Sequence, residues 1–255
     1  MYEASAMRRT NVMRRCAVAA VCVALLTARA RADDGETYQR AINSVVWVIC
    51  YDKSWDMSFA TGVVVDAANG YILTAYHVTG DDKLAVVVFP AKDKEGEIIS
   101  TPNYYLENFK LVSALCVVVA RDAQRDLALL KLKTPRTGLK AMPIAAASSR
   151  PGQELFTIGN AGTQGPLFRY ASGSVRQVYA DSFRFETGQE VNARIVSMTV
   201  PLNAGDSGGP LVNHQGELVG INSAVVAKDN QVQKGIDVAE IRAFLAKPLA
   251  SQKTK

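Results

Sequence analysis

The chain has 255 residues, 48% of them hydrophobic, 7% aromatic and 21% charged, which is the profile of an ordinary folded protein and excludes a disordered one. Its formal charge of +5 resides in residues 1–32, which hold six Arg and one Glu, so the remainder is close to neutral. That balance excludes an electrostatic case for nucleic acid or an anionic membrane as partner.

Residues 1–32 read as an export signal. Arg8, Arg9, Arg14 and Arg15 precede an apolar run from Cys16 to Leu26, and small residues follow at Ala28, Ala30 and Ala32. The run is short for a bilayer span, so no stable membrane anchor is expected after cleavage, and the destination is periplasmic or secreted. Thr37 to Ile42 reads as a short helix leading into a first strand, Ser44–Cys50, rich in β-branched and aromatic residues. Further β-rich runs at Gly62–Asp66, Tyr71–Thr74, Leu84–Phe89, Ala114–Ala120 and Leu127–Leu132 would close one small barrel. The longer connection from Ala91 to Val112, with Tyr104 and Tyr105 in a charged stretch, reads as a solvated hairpin.

Lys133–Pro143, with Pro135, Gly138 and Pro143, is a plausible connector. After it, Leu155–Ile158, Gly173–Val178, Ser182–Glu186, Ile195–Val200, Pro210–Val212 and Leu218–Ala224 give a second set of six strands. Asp237 would cap a closing helix with Val238, Ile241, Phe244 and Leu245 on one face. The expected organisation is one domain over 33–247, with barrels over about 44–134 and 142–236, a closing helix over 237–246 and a disordered tail over 248–255. Helices do not alternate with the strands, which argues for an all-β sandwich or barrel pair, and patterning alone does not choose between these.

Cys16 and Cys22 would leave with the signal. Cys50 and Cys116 would then enter a compartment that permits disulfides, and each sits in an apolar strand, so a bridge and two buried thiols are both open readings. Neither has a Cys or His at metal-ligand spacing, and no cofactor is called for.

The chemistry is concentrated in three segments. In Asn203-Ala204-Gly205-Asp206-Ser207-Gly208-Gly209-Pro210, glycines surround a serine between two apolar runs. Acyl transfer needs a serine oxygen beside two backbone N–H donors for the developing oxyanion, here those of Gly205 and Ser207. A serine nucleophile needs a base of near-neutral pKa. Outside the signal there are two histidines: His214 sits in a turn, Asn213-His214-Gln215-Gly216, whereas His77 lies in Leu73-Thr74-Ala75-Tyr76-His77-Val78. Asp126 heads the apolar run Leu127–Leu130 and could orient the imidazole. The order His, Asp, Ser excludes an α/β-hydrolase esterase, whose order is Ser, acid, His.

Together these segments resemble the trypsin-like serine peptidases, and within them the bacterial high-temperature-requirement proteases. The resemblance spans roughly residues 44–245 and also rests on Thr61–Asp66, Ile158-Gly159-Asn160 and Gly216–Asn222. It implies two perpendicular six-stranded antiparallel β-barrels and a serine endopeptidase acting on protein or peptide substrates, with His77, Asp126 and Ser207 as its triad. Those proteases carry peptide-binding PDZ modules after the protease domain; here the chain stops soon after the closing helix, so a stand-alone protease domain of unknown oligomeric state is expected. Asp206 resembles the trypsin carboxylate that binds a freed N-terminus, but nothing near Ser44 resembles an activation site, and Asp206 is expected to pair internally or stay solvated. Pro201 stands where enzymes that cut after Lys or Arg hold an Asp. With Asn222, Ser223 and Ala224 lining the substrate strand, cleavage after small or medium apolar residues is expected. The competing reading is a latent protease-fold protein that binds peptides without turning them over.

Overall fold

In a computed structural model the described residues are 34–51, 57–160, 165–225 and 233–250; residues 1–33, over which the export signal is expected, and residues 251–255 lie outside them. Helix α1 (Asp34–Ala41) and a short 3-10 turn (Ile42–Ser44) lead into strand β1 (Val45–Tyr51). Then come β2 (Met57–Asp66), β3 (Tyr71–Thr74), the one-turn helix α2 (Tyr76–Thr79), β4 (Leu84–Val88), the short helices α3 (Pro102–Glu107) and α4 (Phe109–Val112), β5 (Ser113–Asp122) and β6 (Leu127–Leu132). These strands close as β1-β2-β3-β6-β5-β4. The second half holds β7 (Glu154–Gly159), β8 (Arg169–Arg184), β9 (Glu190–Met198), β10 (Pro210–Val212), β11 (Leu218–Val225), β12 (Gln233–Asp237) and helix α5 (Val238–Ala250). Its strands close as β10-β11-β12-β9-β8-β7. The fold is therefore all-β, a pair of antiparallel six-stranded barrels with a C-terminal helix, as the resemblance implies.

The period of two along each strand builds both the barrel interiors and the joint between them. In β1, Val46, Val48 and Cys50 pack with Ala60, Val64, Ile72, Val87, Cys116 and Leu130 inside barrel one. The intervening Val45, Trp47 and Ile49 turn the other way, into a larger cluster shared with Phe156, Ile158, Ile221 and Ile236 of barrel two. This is why six of the seven β1 residues are buried. Thr61 lies on the same face of β2 as Val63, which belongs to that shared cluster, so a polar side chain is directed at barrel two.

Four expectations change. Gly173–Val178 and Ser182–Glu186 are not separate strands: the intervening Tyr179, Ala180 and Asp181 keep their register with Ile195, Arg194 and Ala193, giving one 16-residue strand that ends at Arg184. Gln233–Asp237 is a strand despite its polar composition, because it is paired on both edges, with β11 and β9. The Ala91–Val112 connection contains two helices, and the fully buried Tyr105 anchors it by donating to the Ile99 carbonyl at 2.6 Å and accepting from the Ala91 amide at 3.1 Å. The closing helix runs on to Ala250, past its expected end.

Cys50 and Cys116 are free, buried thiols, the second of the two open readings, and the disulfide reading does not hold in this structure. Ala85 of β4 faces Cys116 on β5, and β1 lies on the opposite edge of β4 with Ile49 across from Val86. The cysteines thus stand two strands apart, roughly 10 Å by ordinary strand spacing. That is beyond the ~7 Å Cα separation a disulfide tolerates. Among the described residues no helix is long and apolar enough to cross a membrane.

Candidate active site

His77 and Asp126 meet at one end of barrel one, where antiparallel pairing sets Thr74, at the close of β3, opposite Ala128, near the start of β6. β3 runs into α2, which carries His77 in its single turn, and Asp126 sits immediately before β6, the neighbour of β3. Asp126 has φ 53°, a left-handed conformation that Asp tolerates better than most residues, and its side chain is fully buried. Burial of a carboxylate requires hydrogen bonds to it, and four donors supply them. The His77 backbone N–H lies 2.9 Å from Oδ1, and His77 Nδ1 lies 2.9 Å from Oδ2 and 3.1 Å from Oδ1. The Ser223 hydroxyl donates to Oδ2 at 2.5 Å and Gln189 Nε2 to Oδ1 at 3.3 Å. With Nδ1 facing a carboxylate, the proton belongs on Nδ1, which leaves Nε2 as an acceptor.

Ser207 lies in the turn between β9 and β10, and barrel one holds that turn. The Thr61 amide donates to the Ser207 carbonyl at 2.9 Å and the Thr61 hydroxyl to the Gly205 carbonyl at 2.7 Å. Gly208 has φ +77°, and a Cβ there would lie 2.2 Å from Thr74 Oγ1 and 2.8 Å from the Ala75 amide, just ahead of His77 in the chain. On its other side the turn is joined to β11: Gly208 N–H donates to the Asn222 carbonyl and Asn222 N–H to the Gly209 carbonyl, both at 2.9 Å. The next residue, Ser223, bonds Asp126. The structure therefore brings the Ser207 turn against the His77–Asp126 pair from two sides. The Ser207 hydroxyl itself is half-buried and makes no hydrogen bond to His77.

The amides of the turn divide sharply. Asp206 N–H donates to Asn203 O, Gly208 N–H to Asn222 O and Gly209 N–H to Asp206 O. Among the described residues, the Gly205 and Ser207 amides have no acceptor, and these are the two expected to receive an oxyanion. Asp206 pairs internally: its carboxylate accepts the Asn203 amide at 2.7 Å and lies 3.3 Å from Arg169 Nη2. Burial pushes its pKa up, while the Asn203 amide and the Arg169 guanidinium pull it back down. A Cβ on Gly159 would meet Asp206 Oδ1 at 1.8 Å, so glycine is needed there.

The expected substrate-lining residues are less uniform. Pro201 is exposed, but the Asn222 side chain is buried and donates to Thr157 Oγ1 and the Asp206 carbonyl. Ser223 gives its hydroxyl to Asp126, so its side chain supports the His77–Asp126 pair; the Ala224 side chain lies outside the described residues. His214 stands apart from the site and pairs with Glu154 at 2.8 Å. Three contributors were not foreseen: Thr61, Gln189 and Asn160. Buried Asn160 ties both ends of its loop, donating to Thr61 Oγ1 at 3.1 Å and accepting the Phe168 amide at 3.0 Å.

A family model described as "Trypsin-like peptidase domain" matches residues 60–221. The periplasmic serine endoprotease DegP of Salmonella typhimurium is 30% identical over 197 residues, covering 77% of this chain and 36% of that protein. This chain thus spans about a third of that relative's length. Among solved structures, the active form of the Rv3671c protease from M. tuberculosis superposes with a TM-score of 0.66 at 18% identity, covering 83% of each chain. A serine endoprotease from Yersinia pestis gives 0.61 at 24%, covering 84% of this chain and 65% of that one. At these identities the structural likeness bears on the fold.

Proposed function

This chain belongs to the trypsin-like peptidase family, and from that premise we propose that it is a serine endopeptidase working through an acyl-enzyme on Ser207. The observation that supports it most is the pair of unengaged amides at Gly205 and Ser207, in a turn seated against the His77–Asp126 pair. His77 Nε2 takes the Ser207 proton as Oγ attacks the peptide carbonyl carbon, and the resulting oxyanion is held by the two amides. Asp126 accepts from Nδ1 and steadies the imidazolium. Collapse of the intermediate breaks the C–N bond, and His77 hands its proton to the leaving amine. Water, deprotonated by His77, then releases the acyl group. A hydroxyl that meets the imidazole only in the substrate complex is usual for such sites.

With Pro201 six residues before the nucleophile, a cationic side chain at the scissile residue finds no carboxylate there, which favours cleavage after small or medium apolar residues. The leader over residues 1–32 supports export, and the Salmonella relative is named periplasmic. The test is labelling of the purified protein by a fluorophosphonate at about pH 8, above the ordinary histidine range. Labelling should occur and vanish in Ser207→Ala. Absence of labelling in the folded wild type would overturn the reading in favour of a peptide-binding protease fold.

A further inference from the structure

The β8–β9 hairpin reaches beyond what barrel closure requires. Its tip crosses to barrel one, where Asn192 N–H donates to the Gln124 carbonyl at 2.9 Å and Gln189 Nε2 to the Ala123 carbonyl at 3.0 Å, in the turn that presents Asp126. This fixes the Phe185 ring 4.7 Å from the His77 ring, tilted by 38°. Phe185 is only half-buried, so part of an apolar ring is left bare beside the base. Phe183, two residues earlier near the end of β8, meets Phe185 edge-on at 5.6 Å. Lys234 Nζ lies 4.8 Å from the Phe183 ring centroid and is paired with Asp181 Oδ2 at 2.7 Å.

Where a substrate would run relative to this ring follows from β11. Its pairing with β10 ends at Ile221 opposite Pro210, and the bonds of Asn222 to the Ser207 turn are the last on that edge. On the other edge Ala224 and Val225 pair with Lys234 and Gln233 of β12. From Ser223 onward, one edge has no strand partner among the described residues, and it starts beside Ser207. An extended peptide can add to such an edge as a further strand. Its side chains then alternate in direction. If the scissile residue turns its side chain towards barrel two, the residue before it turns towards barrel one, where His77 and Phe185 stand.

We propose that Phe185 is a specificity-determining residue for the substrate position immediately before the scissile one, selecting an apolar side chain that packs on its ring. This rests on the acyl-enzyme reading above. The half-exposed aromatic gains when an apolar side chain covers it and gains little from glycine.

The experiment compares inactivation rates of the purified full protein by two peptidyl diphenyl phosphonates that differ only in leucine or glycine before the reacting residue, for wild type, Phe185→Ala and Phe185→Leu. The wild type should favour leucine. Phe185→Ala should shrink the leucine-to-glycine ratio about five- to tenfold, the scale of one partly buried apolar contact, and Phe185→Leu should fall between. A wild type that favours glycine, or a ratio unmoved in either folded variant, overturns the proposal; Phe185→Leu keeps it exposed to refutation should Phe185→Ala fail to fold. A wild type inert to both phosphonates and to the fluorophosphonate overturns the acyl-enzyme reading instead.

Discussion

The Thr61 hydroxyl has all of its hydrogen-bonding positions filled: it donates to Gly205 O at 2.7 Å and accepts from Asn160 N and Asn160 Nδ2, both at 3.1 Å. Thr61→Val keeps the shape of the side chain, strands the Gly205 carbonyl and the Asn160 backbone N–H, and leaves Asn160 Nδ2 only the Val46 carbonyl at 3.4 Å. The expected cost is about 2–4 kcal/mol of stability, measured by denaturant unfolding. Labelling of Ser207 should slow about ten- to a hundredfold, because the Gly205 carbonyl is no longer held and the neighbouring amides lose their aim. Thr61→Ser should restore both; a Thr61→Val protein that is less stable but labels at the wild-type rate would confine Thr61 to the scaffold. His77, Asp126 and Ser207 could be proposed from the sequence because each stands in a distinctive run of immediate neighbours. Thr61 was visible only as the first residue of a block that carries the resemblance, with no role of its own, since its partners lie 99 and 144 residues away. The same distance hid the true work of Ser223: its small side chain suggested a substrate lining, while its hydroxyl belongs to Asp126, 97 residues earlier.

Turns and hairpins were legible in existence and poorly so in extent. Glycines stand in both the Ser207 turn and the β8–β9 tip, and the backbone surroundings separate their demands. Gly208 and Gly188 both have positive φ, +77° and +89°. A Cβ at Gly208 would lie 2.2 Å from Thr74 Oγ1 and 2.4 Å from Thr61 O, whereas a Cβ at Gly188 meets nothing within 4 Å. Gly188→Ala should therefore cost only the left-handed backbone penalty, about 1–2 kcal/mol. Gly208→Ala should cost more than that and abolish labelling, because relief of the clash requires the turn to leave β3. Unfolding curves for the two variants, read beside probe labelling, test this; equal losses would mean that the turn can yield. The long β8 escaped sequence reading for a related reason: nothing in Tyr179-Ala180-Asp181 breaks a strand, but its polarity suggests a loop, and only the pairing with Arg194 and Ala193 shows otherwise. β12 was invisible because Lys234 and Gly235 carry no strand signal and are ordered by neighbours on both edges.

At the scale of the molecule, the two barrels are joined by packing, and among the described residues no disulfide contributes. The shared cluster that takes Trp47, Ile49, Leu127 and Leu129 from one barrel and Phe156, Ile158, Ile221 and Ile236 from the other supplies that joint. Cys50 and Cys116 instead lie within the interior of barrel one, on either side of β4. Burial pushes both thiols up to about 12, from an ordinary value of 9.0, with Cys50 adding to the rise at Cys116. The folded state thus holds its protons where the unfolded chain would release them. Each thiol contributes nothing pH-dependent below about 9, and the fold loses stability as pH climbs from there towards 12, since the unfolded state gains by ionising first. Unfolding measured between pH 7 and pH 11 should therefore show stability falling steadily above about 9, and replacement of both cysteines by alanine should flatten that part of the curve. A protein lacking residues 1–32 should also show two thiols that ignore a thiol-disulfide reagent at about pH 8 while folded and react fully in denaturant, because reaction requires both exposure and a thiolate. One reactive thiol in the native protein would mean that barrel one opens locally on the timescale of labelling, and none in denaturant would restore the disulfide.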